Sequence, residues 1–239
     1  DYELSLENFE KLQRDRAFAK IVPSYVARLY YYLGREEDLL QMAPALLMEE
    51  DVVKKNEIRC MVAEVYYNRG DYPNALMYYS AAEASQADNM PATSPDNSQP
   101  VANSTLACTP QDCYYQMGYC YYMTHQYDSA ARYLERKTAC VDSVAQNALY
   151  TLGDVYVHLG RKDDARSMYL QASKMNFDPR IQEDALFNYA KLSCELRLNP
   201  YNESIRSFQD YLQTYPKTSH RSEIQEILAS LYLTTRNYK

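Results

Sequence analysis

The chain has 239 residues, of which 46% are hydrophobic and 24% are charged, so it can bury a core and is unlike an intrinsically disordered chain. Its 25 Lys and Arg residues against 32 Asp and Glu residues give a net charge of -7, without the basic excess that binding to nucleic acid requires. No stretch reaches the roughly 18 apolar residues of a membrane-spanning helix, so we expect no direct membrane insertion of this segment.

Two parts of the chain repeat one residue pattern with identical spacing. In each, a small residue is followed by Tyr, Gly, Ala, Tyr and Ala at fixed offsets. The first copy consists of Ala63, Tyr66, Gly70, Ala75, Tyr79 and Ala82, and the second of Gly153, Tyr156, Gly160, Ala165, Tyr169 and Ala172. A third copy begins at Gly118, which gives a repeat of about 34 to 35 residues. The apolar spacing within each copy predicts two amphipathic helices separated by a glycine turn.

In chain order, the pattern predicts a lone second helix near residues 1–12, then pairs of helices, and finally a first helix without its second. The first helices are centred on Ala27, Ala63, Gly118, Gly153, Ala190 and Ala229. Both ends then fall inside a repeat, which favours a segment of a longer solenoid; the alternative is that the end helices are themselves caps.

Glycines occupy two kinds of position in this pattern. Gly34, Gly70 and Gly160 are predicted to end first helices in the left-handed conformation. Gly118 and Gly153 are predicted to lie where two helices approach closely.

Two segments depart from the repeat. Pro44 falls inside a predicted second helix, which we expect to be shortened or kinked after Gln41. Residues 84–109 contain no Tyr, Gly, Lys or Arg and are rich in Ala, Ser, Thr, Asn and Pro, which predicts a long loop between repeats. Such a loop either folds over a binding groove or is a tolerated surface insertion, and Pro110 is expected to open the helix that follows.

Together, the small residue, the Tyr three residues later, Gly-x-Tyr, and then Ala, Tyr or Phe, and Ala resemble the tetratricopeptide repeat. The resemblance covers most of residues 1–239. It implies an all-α, right-handed superhelical solenoid of antiparallel helix pairs, in about six units of which the first and last are incomplete.

Catalytic and metal-binding motifs are not recognisable in the sequence. The three histidines stand in different repeats, and neither Gly-x-Ser-x-Gly nor His-Glu-x-x-His occurs. We therefore expect no enzyme activity, no metal and no cofactor. The six cysteines contain no Cys-x-x-Cys, but Cys140 could form a disulfide with Cys113 or Cys108 in an oxidising compartment.

The resemblance implies that the first helices line a concave groove that contacts partners. The offsets used by the family correspond here to Tyr31, Tyr67, Asn68, Tyr115, Tyr119, Tyr122, Tyr150, Asp154, His158, Phe187 and Lys191. Tyrosine combines a large apolar ring with a polar tip, which suits recognition of an extended or helical protein segment. The alternative is that several of these tyrosines pack against the neighbouring repeat.

A finer resemblance spans residues 201–232. Its residues are Tyr201, Ser204, Phe208, Tyr211, Pro216, Leu228 and Tyr232. These are similar to the repeats of bacterial envelope proteins, namely the outer-membrane assembly lipoproteins and the Tol–Pal coordinator, and imply a periplasmic or outer-membrane-associated site in preference to a cytoplasmic one.

The expected function is a non-enzymatic scaffold that binds a protein or peptide within a larger bacterial envelope protein. Two alternatives remain open: a regulatory or spacer segment of a multidomain enzyme, and a module that self-associates through its open end repeats.

Overall fold

The computed structural model describes residues 2–12, 15, 17–18, 20–49, 52–87, 113–196 and 201–235. Within these residues the chain forms twelve α-helices and no β-strand. The helices are α1 (Tyr2–Leu12), α2 (Val22–Tyr32), α3 (Glu36–Met48), α4 (Lys55–Asn68), α5 (Tyr72–Ala87), α6 (Tyr114–Met123), α7 (Tyr127–Glu135), α8 (Ser143–His158), α9 (Lys162–Ser173), α10 (Pro179–Glu195), α11 (Tyr201–Thr214) and α12 (Arg221–Thr235). Every helix that the repeat pattern predicts is present, so the all-α fold is confirmed.

The chain divides into two compact units, Asp1–His125 with α1 to α6 and Gln126–Lys239 with α7 to α12. Each is a succession of helices that pack on their neighbours in the chain, and short turns make the partners of a pair antiparallel. The prediction of one continuous solenoid over residues 1–239 stays a prediction.

The turn between paired helices shows how the repeat pattern specifies the fold. Gly70 adopts a φ of 76°, and the N–H of the next residue, Asp71, donates to the carbonyl of Tyr66 at 2.9 Å. This bond satisfies a carbonyl at the end of α4, and the left-handed conformation favours glycine. Gly34 and Gly160 repeat the same geometry with φ values of 67° and 74°, which confirms the prediction for these glycines.

Close packing explains the small residue at the centre of α8. A Cβ atom at Gly153 would stand 2.6 Å from the ring of Tyr169 on α9, so only glycine lets the two helices approach as they do. The predicted close approach at Gly153 is confirmed.

Two predicted boundaries are corrected. Helix α3 is not shortened after Gln41: it continues through Pro44 to Met48, and Ala43 and Leu46 on either side of the proline are buried. Burial of this apolar face compensates for the single backbone hydrogen bond that a proline removes. Helix α5 runs to Ala87, so the first residues of the predicted loop over residues 84–109 are helical, and the rest of that loop lies outside the described residues.

Each unit has apolar clusters of its own. In the first unit, α2, α3 and α4 enclose a cluster that includes Leu39, Ile58 and Val62, all 0% exposed. In the second unit, α10, α11 and α12 enclose another, with Phe208 and Ile224 both 0% exposed at its centre.

Candidate partner-binding surface

Five tyrosines of α4, α5 and α6 form one aromatic group, here called the tyrosine cluster. Its members are Tyr67, Tyr72, Tyr115, Tyr119 and Tyr122. All five side chains are half-buried, so each ring is partly enclosed by neighbours and partly open at the surface.

Tyr119 is the hub of the tyrosine cluster. Its ring centroid lies 5.8 Å from that of Tyr67, 5.9 Å from Tyr72, 6.0 Å from Tyr115 and 6.2 Å from Tyr122. The contacts with Tyr67 and Tyr72 are edge-to-face, at interplanar angles of 70° and 69°, which is a favourable arrangement of aromatic quadrupoles. The five rings therefore form a continuous network across three helices.

Two phenols of the tyrosine cluster, those of Tyr67 and Tyr119, have raised pKa values. Burial raises the pKa of Tyr67, and the neighbouring phenols raise it further. Burial also raises the pKa of Tyr119, whose hydroxyl is hydrogen-bonded to that of Tyr72. Beneath the rings, burial raises the pKa of the Cys120 thiol to about 12. The phenols of Tyr67 and Tyr119 therefore stay uncharged at neutral pH.

Local sequence explains how three helices contribute to one cluster. Tyr115, Tyr119 and Tyr122 are spaced four and three residues apart, so they share one face of α6. Tyr67 lies in the last turn of α4 and Tyr72 begins α5, on the two sides of the Gly70 turn. Tyr72 was not among the predicted contact residues, although the Gly-x-Tyr signal that places it is visible in the sequence.

Two other predicted residues of the first unit are not members of the tyrosine cluster. Asn68 is exposed at the end of α4. Tyr31 is half-buried, packs against the apolar cluster of α2 to α4 and contacts the ring of Tyr32 edge-on at 5.6 Å. Tyr31 therefore contributes at least partly to packing within the unit.

In the second unit, three predicted contact residues on α8 interact with neighbouring helices. The ring of Tyr150 lies 5.7 Å from that of Tyr169, and the Tyr169 hydroxyl donates to the Asp154 carboxylate. Burial raises the pKa of Asp154, an effect that the hydrogen bond from Tyr169 and the nearby His158 partly oppose. His158 is exposed and stacks on Tyr127 of α7 with centroids 4.5 Å apart.

Phe187 is a correction to the predicted surface. It is only 2% exposed and belongs to the apolar cluster of α10 to α12, with its ring stacked on His220 at 4.1 Å and 6.2 Å from that of Tyr211. A partner cannot reach it. One turn further along α10, Lys191 remains partly open but pairs with Glu223 at 2.5 Å.

His220 makes a contact within the second unit that the sequence does not predict. Its Nε2 atom lies 2.7 Å from Asp184 Oδ1, so the residue just before α12 is tied to α10. The two residues are 36 positions apart, and no spacing rule within one helix could have paired them.

No disulfide joins the cysteines that the structure describes. Cys113 is buried and Cys140 is exposed, and the predicted disulfide between them is not formed. Cys108, the alternative partner of Cys140, lies outside the described residues.

Two other features are absent from the described ranges of the chain. No group of three or more His, Cys, Asp or Glu side chains there could hold a metal ion. Likewise, none of the helices in that part of the chain is both long enough and apolar enough to cross a membrane.

The repeated helix pairs and their shared glycine turn define a helical-repeat fold. Residues 115–172 and 150–219 match the family model of the tetratricopeptide repeat. Over residues 115–219 the chain is therefore similar to the tetratricopeptide repeat. No curated protein sequence matches this chain.

Solved structures extend the same fold to the rest of the chain. YrrB, described as a TPR protein with an unusual peptide-binding site, is 16% identical, with coverage of 98% of this chain and 100% of that one and a TM-score of 0.63. The C-terminal part of a TPR repeat-containing protein from Cytophaga hutchinsonii is 16% identical, with coverage of 98% and 84% and a TM-score of 0.59. BtubC from P. vanneervenii is 14% identical, with coverage of 100% and 91% and a TM-score of 0.55. At these identities the likeness shows the fold alone.

Proposed function

We propose that this protein is a non-enzymatic interaction module whose tyrosine cluster binds an extended or helical segment of a partner protein. The observation that carries the proposal is the network of five half-buried tyrosine rings around Tyr119. Tyrosine gives a large contact area at a small cost in side-chain entropy, and it is enriched among the residues that dominate interface energies.

The tyrosine cluster differs in chemistry from the apolar cluster of α2 to α4. The buried members of that apolar cluster are Leu, Ile, Val, Met and Ala, side chains without hydroxyl groups. The half-buried rings of the tyrosine cluster add hydroxyl groups that can donate hydrogen bonds to a peptide backbone and accept hydrogen bonds from it. The fold supports the same reading, because YrrB, which shares it, is described as having a peptide-binding site.

A peptide selection tests this proposal. Peptides selected from a displayed library on the full chain would be synthesised with a fluorescent label and titrated by anisotropy against the wild type and Tyr119→Ala. We expect Tyr119→Ala to weaken binding at least tenfold, since a central interface tyrosine is commonly worth about 2 kcal/mol or more. Tyr119→Phe, which keeps the ring, should retain most of the affinity if the apolar contact dominates.

The matched control is Tyr201→Ala in α11, a tyrosine that is 37% exposed and lies in the other unit. Circular dichroism would show that all variants keep the wild-type helix content. Selected peptides that bind Tyr119→Ala and the wild type equally would place the interaction elsewhere and contradict the proposal.

For the cellular setting, we infer a segment of a larger bacterial envelope protein. Support comes from the resemblance of residues 201–232 to envelope tetratricopeptide repeats. Fractionation of cells that produce the full-length protein tests this: recovery with the periplasm or outer membrane is the expected outcome, and recovery only with the cytosol would contradict it.

A further inference from the structure

A cleft of about 260 Å³ lies between α10 and α11 in the second unit. Leu186, Tyr189 and Ala190 of α10 line one side, and Ser207 and Tyr211 of α11 line the other. Most of the surface that these side chains offer is apolar. The cleft belongs to a different unit from the tyrosine cluster and constitutes a separate site.

The residues of α11 explain why this pair of helices leaves space. Ser204 and Tyr211 stand in the repeat where α9 has Ala165 and Ala172. The Tyr211 ring leans toward Tyr215, with centroids 5.0 Å apart, and therefore forms a wall of the cleft without filling it. Small side chains on both helices leave the remaining volume open.

Three of the six hydroxyl groups that line the cleft donate their hydrogens within the protein. Ser193 Oγ donates to the carbonyl of Tyr189 at 2.7 Å, and Thr214 Oγ1 donates to the carbonyl of Asp210 at 2.9 Å. The Tyr211 hydroxyl likewise donates to a carboxylate on α10. These oxygens can therefore offer only acceptor lone pairs to a molecule in the cleft.

The charge at the cleft also favours a ligand that donates hydrogen bonds. Asp210 is the one ionisable carboxylate among the described residues that line the cleft, and it is exposed at the rim. In the part of the chain that the structure describes, it makes no ion pair. Arg166 packs over the Tyr189 ring at 5.7 Å and does not line the cleft. An ionised carboxylate accepts hydrogen bonds and favours a positively charged donor.

We propose that this cleft binds a primary ammonium group carried on an apolar body, with the ammonium at Asp210 and the body between Tyr189 and Tyr211. A cavity of about 150 Å³ holds benzene in another protein, so the larger volume here suits an aromatic ring with a short alkyl arm. Acceptor hydroxyls and a carboxylate around an apolar slot are the complement of such an amine. The ligand class is an arylalkyl amine.

Phenethylamine is the probe that tests the proposal, titrated into the full chain and followed by calorimetry or by NMR. Its neutral isostere 2-phenylethanol and its anionic relative 3-phenylpropionate have the same ring and arm. We expect phenethylamine to bind at least tenfold more tightly than either. Asp210→Asn should weaken phenethylamine binding by roughly tenfold, as the loss of one charge-assisted hydrogen bond predicts. Glu226→Gln, which changes the net charge equally at an exposed position of α12, should leave it unchanged.

A second pair of variants tests the cleft itself. Ser207→Phe places a ring in the cleft from an exposed position and should abolish binding, whereas Ser230→Phe, exposed on α12, should not. Wild-type helicity in both variants would exclude misfolding as the cause. Equal affinity for phenethylamine and 2-phenylethanol, binding that survives Ser207→Phe, or no binding of any probe would overturn the proposal.

Discussion

Tyrosine has two different uses in this chain, and they are distinguished at the scale of single residues. Tyr79 and Tyr169 occupy the same position in their repeats and are 2% and 3% exposed, so both belong to the core. The repeat pattern in the sequence identifies this position. The tyrosine cluster could be predicted only in part, because the burial of Tyr119 depends on how α4 and α5 pack against α6, which spacing along one helix does not reveal.

Asp154 shows how a core tyrosine holds a charged neighbour. The Tyr169 hydroxyl donates to its carboxylate, yet burial outweighs this bond and raises the pKa of Asp154. The folded protein therefore binds the Asp154 proton more tightly than the unfolded chain, whose aspartates titrate near pH 3.9. Stability from this group is highest at low pH and falls as the pH rises from about 3.9 through the higher folded-state pKa.

Asp154→Asn should therefore stabilise the protein at pH 7 relative to the wild type, because the amide carbonyl still accepts from Tyr169 without carrying a buried charge. The difference in the free energy of unfolding should shrink as the pH falls toward 3. Urea unfolding at several pH values measures it. Glu226→Gln, an exposed control, should show a much smaller change, and a D154N variant less stable than the wild type at pH 7 would contradict the argument.

At the scale of elements, the turns were predictable and the longer connections were not. The glycine turn after α4 follows from a residue type and a spacing. The connection between α9 and α10 depends instead on Gln146 of α8, which is 0% exposed. Its Nε2 atom lies 2.9 Å from the carbonyl of Met175, and its Oε1 atom accepts from the N–H of Asp178 at 2.8 Å. No local signal in the sequence pairs residues 32 positions apart.

Gln146→Leu should destabilise the protein by about 2 to 4 kcal/mol, because it leaves buried backbone groups of the α9–α10 connection without partners. The nearly isosteric Gln146→Glu should also destabilise, since a carboxylate cannot donate to Met175. Chemical denaturation measures both effects. Gln171→Leu, at an exposed position of α9, is the control, and equal stabilities for the Gln146 and Gln171 variants would show that the buried amide contributes nothing.

At the scale of the whole molecule, the register of the repeat predicts which face a residue occupies only where the repeat is regular. Phe187 was placed on the groove by its offset from Ala190. In α11, however, Tyr211 stands where two other repeats have the small residues Ala82 and Ala172. Its ring and that of His220 both contact Phe187, so Phe187 is drawn into the core. The large side chain of Tyr211 on α11 thus changes the burial of Phe187 on α10.

Helix contacts follow the order of the chain, and this determines how stability is distributed. Among the described residues, the substantial contacts join helices adjacent in sequence, together with α2 to α4 and α8 to α10. Arrays with only near-neighbour interfaces have stabilities that are approximately sums of local terms. Phe208, which is 0% exposed in the cluster of α10 to α12, is well placed to test this.

Phe208→Ala should remove about 3 to 5 kcal/mol of local packing free energy. If stability is local, hydrogen exchange measured by mass spectrometry should lose protection in α10, α11 and α12 and leave it unchanged in α4 and α5. Phe177→Ala, at a position that is 47% exposed, should change neither region. A uniform loss of protection in all helices would contradict local stability. It would mean that the chain unfolds as one cooperative body, so that a cavity among the last three helices lowers the free energy of unfolding of the first unit by the same amount.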